Sequence, residues 1–414
     1  MNALILVSLV GIAALFGGVF NFKGQTTLWI AIVGLIAAMG LNFMDWGTNT
    51  SWFNNMAKFD NFSLAFNWVI MLSTLLVLLL CSHHYRHVAQ NMIADVYGLI
   101  LFTLSGGMIM TSYSNLTMLF LGIEILSISL YILAGSNRAD KNSNESAMKY
   151  FLMGSFASGF LLFGIALIFG VTGSFHLDSI KSFLEANPAA AGNSMLGVGL
   201  LMMLVGFLFK VAAVPFHFWA PDVYQGAPTL ITGFMATVVK TAGFAAFFRL
   251  FSTCFSNVEG LWVPVLTIAA VMTLFVGNIT ALYQKGIKRL LAYSSISHAG
   301  YLILGILAMK QGAANALFFY TAIYSVATIC AFAVLIAVKE ITETDDINSL
   351  NGLAKTNPLL ALAMTIAFLS LAGIPPLAGF FAKYYLFTIA MKAGYGWLVI
   401  IALINSLIAA YYYL

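Results

Sequence analysis

The chain has 414 residues, of which 61% are hydrophobic and only 8% are charged, and its formal net charge is +4. Soluble domains contain about 25% charged residues, so this composition excludes an ordinary water-soluble fold. Apolar runs of about 20 residues, the length of a membrane-crossing helix, recur along the whole chain. Because they are continuous and do not alternate, they also exclude a membrane β-barrel.

Thirteen membrane-crossing helices are predicted in chain order. They cover residues 2–21, 27–44, 62–82, 92–112, 115–134, 147–171, 195–216, 227–251, 260–281, 287–308, 312–338, 356–391 and 394–414. The first lacks a positively charged start, so we interpret it as a spanning helix and not as a cleaved signal peptide. The twelfth is overlong and contains "GIPP" at 373–376, which predicts two half-helices because proline disrupts a helix interior. The predicted fold class is therefore an all-α polytopic membrane protein.

Residues that typically bind metals or cofactors are scarce. The three cysteines, Cys81, Cys254 and Cys330, have neither disulfide nor metal-ligand spacing. His83 and His87 are four residues apart, as two metal ligands on one helix can be, but no carboxylate accompanies them. We therefore expect no metal site and no cofactor held by this chain.

The distribution of positive charge predicts the orientation in the membrane, because cytoplasmic loops are enriched in lysine and arginine. With the N-terminus outside, ten cations fall on the cytoplasmic side: Lys23, Arg86, Arg138, Lys141, Lys149, Lys285, Lys288, Arg289, Lys339 and Lys355. Five fall outside: Lys58, Lys181, Arg249, Lys310 and Lys392. We therefore expect a multi-pass protein of the inner (cytoplasmic) membrane with its N-terminus outside. The most polar loops, 135–149 and 338–355, are then cytoplasmic.

The predicted helices also form a coarse internal repeat. Helices 4–8 and 9–13 make two sets of five, and because five is odd the two sets have inverted topology. The resulting segments are an N-terminal three-helix segment at 1–91, a first repeat at 92–251 and a second repeat at 252–414. The fourth helix of each set is broken, at Pro215 in one and at Pro375 and Pro376 in the other. Breaks at matching positions of inverted repeats indicate an ion path near the membrane midplane.

Four charged residues lie in the middle of apolar predicted spans, away from their ends: Glu124, Lys210, Lys240 and Lys383. Each costs about 2.5–3.5 kcal/mol at a helix centre, so together they cost about 10–14 kcal/mol unless they pair, neutralise or reach water. Loss of water makes an ammonium group release its proton more readily, and a nearby carboxylate opposes this. A pair of Glu124 and Lys210 whose separation changes would therefore act as a proton switch.

Structural interpretations remain open for the individual residues. Any one buried lysine could serve as an ion-pair partner or extend to the membrane surface. His298, within "SSISHAGYL", could be a packing histidine with satisfied hydrogen bonds. We expect His217 and Asp222, just past Pro215, to cap the broken helix and not to carry protons. The occurrence of four mid-span charges, two of them beside matched breaks, nevertheless favours a proton path.

The segments that carry these residues resemble a known family. They are "KVAAVPFHFWAPDVYQGAP", "KTAGFAAFFRLF", "GNITALYQKGIKRLLAYSSISHAGYLILG" and "LSLAGIPPLAGFFAKYYLF". In order and spacing they look like the antiporter-like membrane subunits of respiratory complex I, which are similar to the large subunits of Mrp-type sodium/proton antiporters. The form "PDVYQGAP" and a lysine in helix 12 resemble the N-type branch of that family more closely than its two larger sisters.

The resemblance implies a proton-translocating subunit of an NADH:quinone oxidoreductase. The family's proton-path residues correspond here to Glu124, Lys210, Lys240 and Lys383, and His298 would lie on the polar axis between two half-channels. NADH, FMN, iron–sulfur clusters and quinone are expected in partner subunits. The expected partners are a neighbouring antiporter-like subunit, small membrane subunits and the lipid bilayer, with no nucleic acid.

Family members usually continue beyond the position of Leu414 through one more helix, so we expect the chain to be C-terminally incomplete. Two other functional classes remain open from the residues alone. One is a stand-alone transporter, either a cation/proton antiporter or an organic-solute carrier, which would share inverted repeats and broken helices. The other is a membrane scaffold with no transport role.

Overall fold

A computed structural model shows a bundle of α-helices with one small β-hairpin. It describes residues 1–20, 22–84, 90–309 and 312–414, without the side chains of residues 83, 84 and 90–92. Three residues used above, Arg86, His87 and Lys310, lie outside the described residues, as does the side chain of His83. The charge count and the histidine pair therefore stay predictions at those positions.

The helices follow the predicted order along the chain. They are α1 (Asn2–Val19), α2 (Gly24–Met44), α3 (Asn61–His84), α4 (Gln90–Ser112), α5 (Leu116–Ala134), α6 (Lys141–Thr172), α7 (Leu177–Ala186), α8 (Ser194–Lys210), α9 (Trp219–Gly226), α10 (Thr229–Phe234), α11 (Lys240–Cys254), α12 (Glu259–Leu282), α13 (Ile287–Leu307), α14 (Ala313–Thr342), α15 (Leu353–Thr356), α16 (Pro358–Ala372), α17 (Ala378–Lys392) and α18 (Gly396–Tyr413). The hairpin joins β1 (Thr50–Trp52) to β2 (Ala57–Phe59).

The all-α multi-pass architecture is confirmed. In the described ranges, 11 segments are long and apolar enough to cross a membrane, and α8 and α16 are two shorter apolar helices beside the breaks. The predicted number of thirteen spans stays a prediction. The sequence did not predict the hairpin or α7, a short helix that buries Leu177, Ile180 and Leu184 along one face.

The first broken helix ends earlier than predicted, at Lys210. Ala212 has a left-handed backbone, with φ +58°. Its N–H donates to the carbonyl of Phe209 at 3.0 Å, and the N–H of Ala213 donates to the carbonyl of Leu208 at 2.8 Å. This pair of bonds is a Schellman motif, which satisfies carbonyls that a helix end would otherwise leave free.

The second broken helix ends in the same way. The predicted interruption at "GIPP" is confirmed, with α16 ending at Ala372 and Gly373 adopting φ +84°. The N–H of Gly373 donates to the carbonyl of Ser370 at 3.1 Å, and the N–H of Ile374 donates to the carbonyl of Leu369 at 3.0 Å. Both breaks therefore use a Schellman motif, but one has alanine where the other has the glycine that suits a left-handed backbone.

Two helices are almost fully enclosed by the rest of the bundle. The span Thr229–Cys254 is 100% buried over its most apolar window, and α13 is 94% buried. Within the first span, Met235–Val239 form a π-helical turn that ends immediately before Lys240. Such turns interrupt α-helices frequently at functional sites. The central helices therefore meet protein on every side, which is where polar groups can be satisfied inside a membrane.

One cation counted above in an outer loop is instead buried. Arg249 lies within α11 and its guanidinium donates to both carboxylate oxygens of Asp60, at 2.6 and 3.0 Å. Burial alone would raise the pKa of Asp60, but the charge and hydrogen bonds of Arg249 outweigh it and the net pKa is lowered. This ion pair ties α11 to the start of α3.

Candidate functional site

All of the predicted site residues lie in the bundle interior or at its margin. Lys210 is 7% exposed, Lys240 3%, His298 3% and Lys383 5%, while Glu124 is partly buried. Such small exposures exclude the alternative in which the lysines extend to the membrane surface. Each lysine must therefore be satisfied by protein groups or by internal water.

Lys210 and Glu124 are neighbours without direct contact. The Lys210 ammonium donates to Ser127 Oγ at 2.8 Å, and Ser127 is one helical turn beyond Glu124 on α5. The Oε1 atom of Glu124 is buried without a hydrogen-bond partner, and in the described chain no ion pair joins Glu124 to Lys210. Glu124 remains within Coulombic range of Lys210. Glu124 can therefore bias the protonation of Lys210 without sharing its proton.

Lys240 is held by one serine of the neighbouring helix α13. Its ammonium donates to Ser295 Oγ at 2.6 Å and to the carbonyl of the same residue. The hydroxyl of Tyr324 on α14 also donates to Ser295 Oγ, at 3.0 Å. Ser295 thus connects the lysine of the first predicted repeat to residues of the second.

His298 lies one helical turn after Ser295 and is surrounded by tyrosines. Its Nδ1 shares a hydrogen bond of 2.7 Å with Tyr320 Oη, and its Nε2 lies 3.4 Å from Tyr413 Oη. The ring of Tyr324 packs against the imidazole with centroids 4.9 Å apart. An imidazole with hydroxyl groups at both nitrogens can accept a proton at one and release a proton from the other.

Lys383 makes contacts at the second break. Its ammonium donates to the carbonyl of Ala372 at 2.8 Å and to Ser406 Oγ at 3.2 Å, and it lies 4.7 Å from the ring centroid of Tyr301. Ser406 in turn donates to the hydroxyl of Tyr301 at 3.2 Å.

Lys210 and Lys383 are both associated with a helix break, but Lys210 precedes its break in the sequence and Lys383 follows its own. Lys210 is the last residue of α8, whereas Lys383 follows its break on α17. The Lys383 side chain reaches back to the carbonyl of Ala372, the last residue of α16. The Lys383 ammonium therefore lies at the carboxyl end of a half-helix, where the helix dipole favours a positive charge, whereas Lys210 is the last residue of α8 and its ammonium extends to Ser127 on α5.

A small cavity lies between His298 and Lys383. Its volume is about 10 Å³, and its walls include Tyr320, Tyr324, His298, Ser370 and Lys383. Its lining is mainly apolar, and its size is at the lower limit for holding one water molecule. Ser295 is bonded to both Lys240 and Tyr324, so hydrogen bonds connect Lys240 to Tyr324, and the cavity lies among Tyr324, His298 and Lys383.

A further buried lysine was counted above among the cytoplasmic loop cations. Lys288 is in the first turn of α13, is 3% exposed and donates to the carbonyl of Ala227 at 2.7 Å. It lines a polar cavity of about 310 Å³ formed where the two polar loops meet. Lys288 precedes Ser295 by seven residues and therefore lies on the same face of α13, two turns away. The sequence alone did not mark this lysine, because its burial depends on loops that are distant in sequence.

Asp222 does not cap the break but joins separate helices at the rim of the bundle. It accepts hydrogen bonds from Lys149 on α6 and from Arg289 on α13, each at 3.0 Å. Burial would raise the pKa of Asp222, but these two cations outweigh it and the net pKa is lowered. His217 is buried nearby, with its Nδ1 unpaired.

A family model described as "NADH:quinone oxidoreductase/Mrp antiporter, TM" matches residues 114–409. The NADH-quinone oxidoreductase subunit N of Trichlorobacter lovleyi is 45% identical over 414 residues, which cover 99% of this chain and 84% of the relative. The protein of the same name from Flavobacterium psychrophilum is 43% identical, over 100% of this chain and 90% of the relative.

Two solved structures are similar in fold. A chain of respiratory complex I from Thermus thermophilus with bound aureothin has a TM-score of 0.83 and 33% identity, covering 99% of this chain and 88% of that one. A chain of the Mrp complex from Dietzia sp. DQ12-45-1b has a TM-score of 0.89 and covers 99% of this chain and 78% of that one. Its identity is 22%, so this second likeness concerns the fold alone.

Proposed function

The chain belongs to the NADH-quinone oxidoreductase subunit N family, and we propose that its protons move along Lys210, Lys240, His298 and Lys383 under the influence of Glu124. As a family member it is a proton-translocating membrane subunit of NADH:quinone oxidoreductase. The proposal assigns that transport to particular side chains.

One observation carries the assignment. Ser295 bonds both Lys240 and Tyr324, and the water-sized cavity beyond Tyr324 is shared by His298 and Lys383. Proton transfer requires donor and acceptor within hydrogen-bond reach, directly or through one water. The hydrogen bonds from Lys240 to Tyr324 supply the first part of this route, and the proposal requires one water in the cavity to complete it by way of His298 to Lys383.

The mechanism follows from the charges. A proton taken up from the cytoplasmic side loads Lys210, whose proton affinity depends on the position of Glu124. When a conformational or electrostatic change weakens that influence, Lys210 releases the proton toward Lys240, from which it passes His298 to Lys383 and leaves outward. In this proposal the N-terminus is outside and the membrane is the inner (cytoplasmic) one.

We propose that the redox chemistry occurs in other subunits of the complex. In that arrangement NADH, FMN, iron–sulfur clusters and quinone are bound elsewhere, and this chain contacts a neighbouring antiporter-like subunit and small membrane subunits. The driving change would then reach Glu124 and Lys210 through those contacts. Relatives named as subunits of the oxidoreductase support this arrangement over a stand-alone antiporter.

The test replaces Lys210 with methionine, which keeps the length of the side chain and removes its charge. NADH-driven proton uptake by inverted membrane vesicles is expected to be lost while the complex still assembles. Lys181→Met is the matched control, because Lys181 is half exposed on α7 and its surface pair with Glu185 is worth about 0–1 kcal/mol. Normal uptake by an assembled Lys210→Met complex would contradict the assignment.

A further inference from the structure

In the described part of the chain, no hydrogen bond links the polar groups around Lys210 to those around Lys240. Lys210 donates to Ser127 and Lys240 donates to Ser295. Three tyrosines from three different helices lie between these serines. We call Tyr131 of α5, Tyr150 of α6 and Tyr224 of α9 the tyrosine bridge.

The outer members of the tyrosine bridge lie on the two serine sides. Tyr131 follows Ser127 by four residues on α5 and so lies on the same face of that helix, and Ser127 accepts from the Lys210 ammonium at 2.8 Å. Tyr224 is buried on α9, which Arg289 of α13 contacts through Gln225, and Ser295 of α13 accepts from the Lys240 ammonium at 2.6 Å. Each end of the bridge therefore lies on or against a helix whose serine holds a buried lysine.

Tyr150 occupies the centre of the bridge. Its ring meets that of Tyr131 edge-on, with centroids 4.8 Å apart. It is stacked on Trp219 at 4.6 Å with an interplanar angle of 5°, and the ring of Tyr224 meets the same indole edge-on at 6.1 Å. The Lys210 ammonium lies 6.0 Å from its ring centroid. Stacking and the edge contact hold this ring in place beside Lys210.

The hydroxyl group of Tyr150 has no structural explanation. The residue is 1% exposed, and its Oη is buried without a hydrogen-bond partner. A buried polar atom without a partner destabilises the fold, so phenylalanine would suit the packing better. The hydroxyl of Tyr131 lies against Gly154, one turn after Tyr150 on α6. A side chain at that position would leave no room for it, because a Cβ on Gly154 would collide with Tyr131 Oη.

We propose that Tyr150 is the relay that carries protons between the Lys210 and Lys240 halves of the path. The inference rests on the proposed function, because it assigns a further residue to the same transport. The Tyr150 oxygen forms a bond to a proton arriving from the Tyr131 side and releases its own proton toward Tyr224, directly or through one water. The tyrosine is neutral before and after, and rotation of its O–H bond restores the first state.

The test is Tyr150→Phe in the complete complex in membrane vesicles. The substitution keeps the ring stacked on Trp219 and removes only the unpaired oxygen, so assembly and unfolding temperature are expected to be unchanged or higher. A proton-transfer group contributes about 10²–10⁴-fold to the rate of its step. NADH-driven proton uptake is therefore expected to fall at least about tenfold, with a larger solvent isotope effect on what remains.

Tyr113→Phe is the matched control, because the Tyr113 hydroxyl is buried but donates to the carbonyl of Ala246 at 2.7 Å, away from the path. That variant is expected to lose stability and keep its proton uptake per electron. Gly154→Ala, which displaces the Tyr131 hydroxyl, should reproduce the loss of uptake and decides the matter if Tyr150→Phe assembles poorly.

The outcomes separate the relay from the proposed function. Normal uptake by Tyr150→Phe, or by Gly154→Ala if the former assembles poorly, would overturn the relay if Lys210→Met abolishes uptake in the same vesicles. Normal uptake by both Tyr150→Phe and Lys210→Met would overturn the relay together with the path. Loss of uptake in both, with Tyr113→Phe unaffected, supports the relay.

Discussion

Substitution of Gly373 with alanine tests the link between a helix break and a lysine. Gly373 has φ +84°, and a Cβ built there lies 2.8 Å from Cδ of Lys383 and 3.4 Å from its Nζ. The backbone at this position resists change because it closes the Schellman motif of α16. The lysine side chain must therefore move, and its hydrogen bond to the carbonyl of Ala372 is the contact at risk.

The expected cost has two parts. A left-handed backbone costs an L-residue about 1–2 kcal/mol, and a hydrogen bond from a charged group is worth about 1.5–3 kcal/mol. Gly373→Ala should thus destabilise the second half by about 2.5–5 kcal/mol if Lys383 loses its carbonyl partner.

The control is the converse exchange at the other break. Ala212→Gly relieves about 1–2 kcal/mol of backbone strain. It is opposed by about 0.4–1 kcal/mol from the freer unfolded chain and about 0.8 kcal/mol for a lost buried methyl. Its net effect is therefore within about 1 kcal/mol.

The assay is the unfolding temperature of the assembled complex together with NADH-driven proton uptake by vesicles. Gly373→Ala is expected to lower both, and Ala212→Gly neither. Wild-type values of both quantities in Gly373→Ala would refute the argument that the glycine makes room for Lys383. Equal losses of stability and uptake in Gly373→Ala and Ala212→Gly would show a general sensitivity of both breaks to substitution, and not a specific need for space beside Lys383.

The remaining predictions concern two other contacts. Ser295→Ala removes the hydroxyl that joins Lys240 to Tyr324 and leaves Lys240 only a backbone acceptor, so proton uptake should fall while assembly persists; unchanged uptake in vesicles would count against that junction. Asp60→Asn leaves Arg249 buried without an opposite charge, which should destabilise the complex by about 3–5 kcal/mol as followed by its unfolding temperature. Burial raises the pKa of Asp60, but Arg249 outweighs burial and the net pKa is lowered. The ion pair therefore stabilises the complex at neutral pH, and this stabilisation is lost as the pH falls through the lowered pKa. At that low pH the unfolding temperatures of the wild type and the variant should converge.

The sequence predicted the parts of the site that are expensive in a membrane. Charged groups such as Lys210 and Glu124 stand out in apolar segments because nothing but function or pairing offsets their cost. The interruption at Pro375 and Pro376 was predicted for a similar reason, since proline cannot continue an α-helix.

The groups that connect the charges were not predicted. Serine and tyrosine are common in membrane helices, so Ser127, Ser295 and Tyr150 carry no signal until neighbouring helices are placed around them. The end of α8 at Lys210 was also not predicted, because position 212 is an alanine and not the glycine that usually follows such a helix end. Lys288 was counted with the loop cations because its burial depends on loops that are distant in sequence.

Helix α13 makes three polar contacts from a single face. One face of this helix carries Lys288, Ser295 and His298, which bond respectively to the carbonyl after α9, to Lys240 and to Tyr320. Since successive residues are about 100° apart around the axis, a turn of the helix by that angle would swing all three groups away from their partners at once. Movement of this one helix would therefore break two contacts of the proposed path, at Lys240 and at His298, together with the bond of Lys288 to the Ala227 carbonyl.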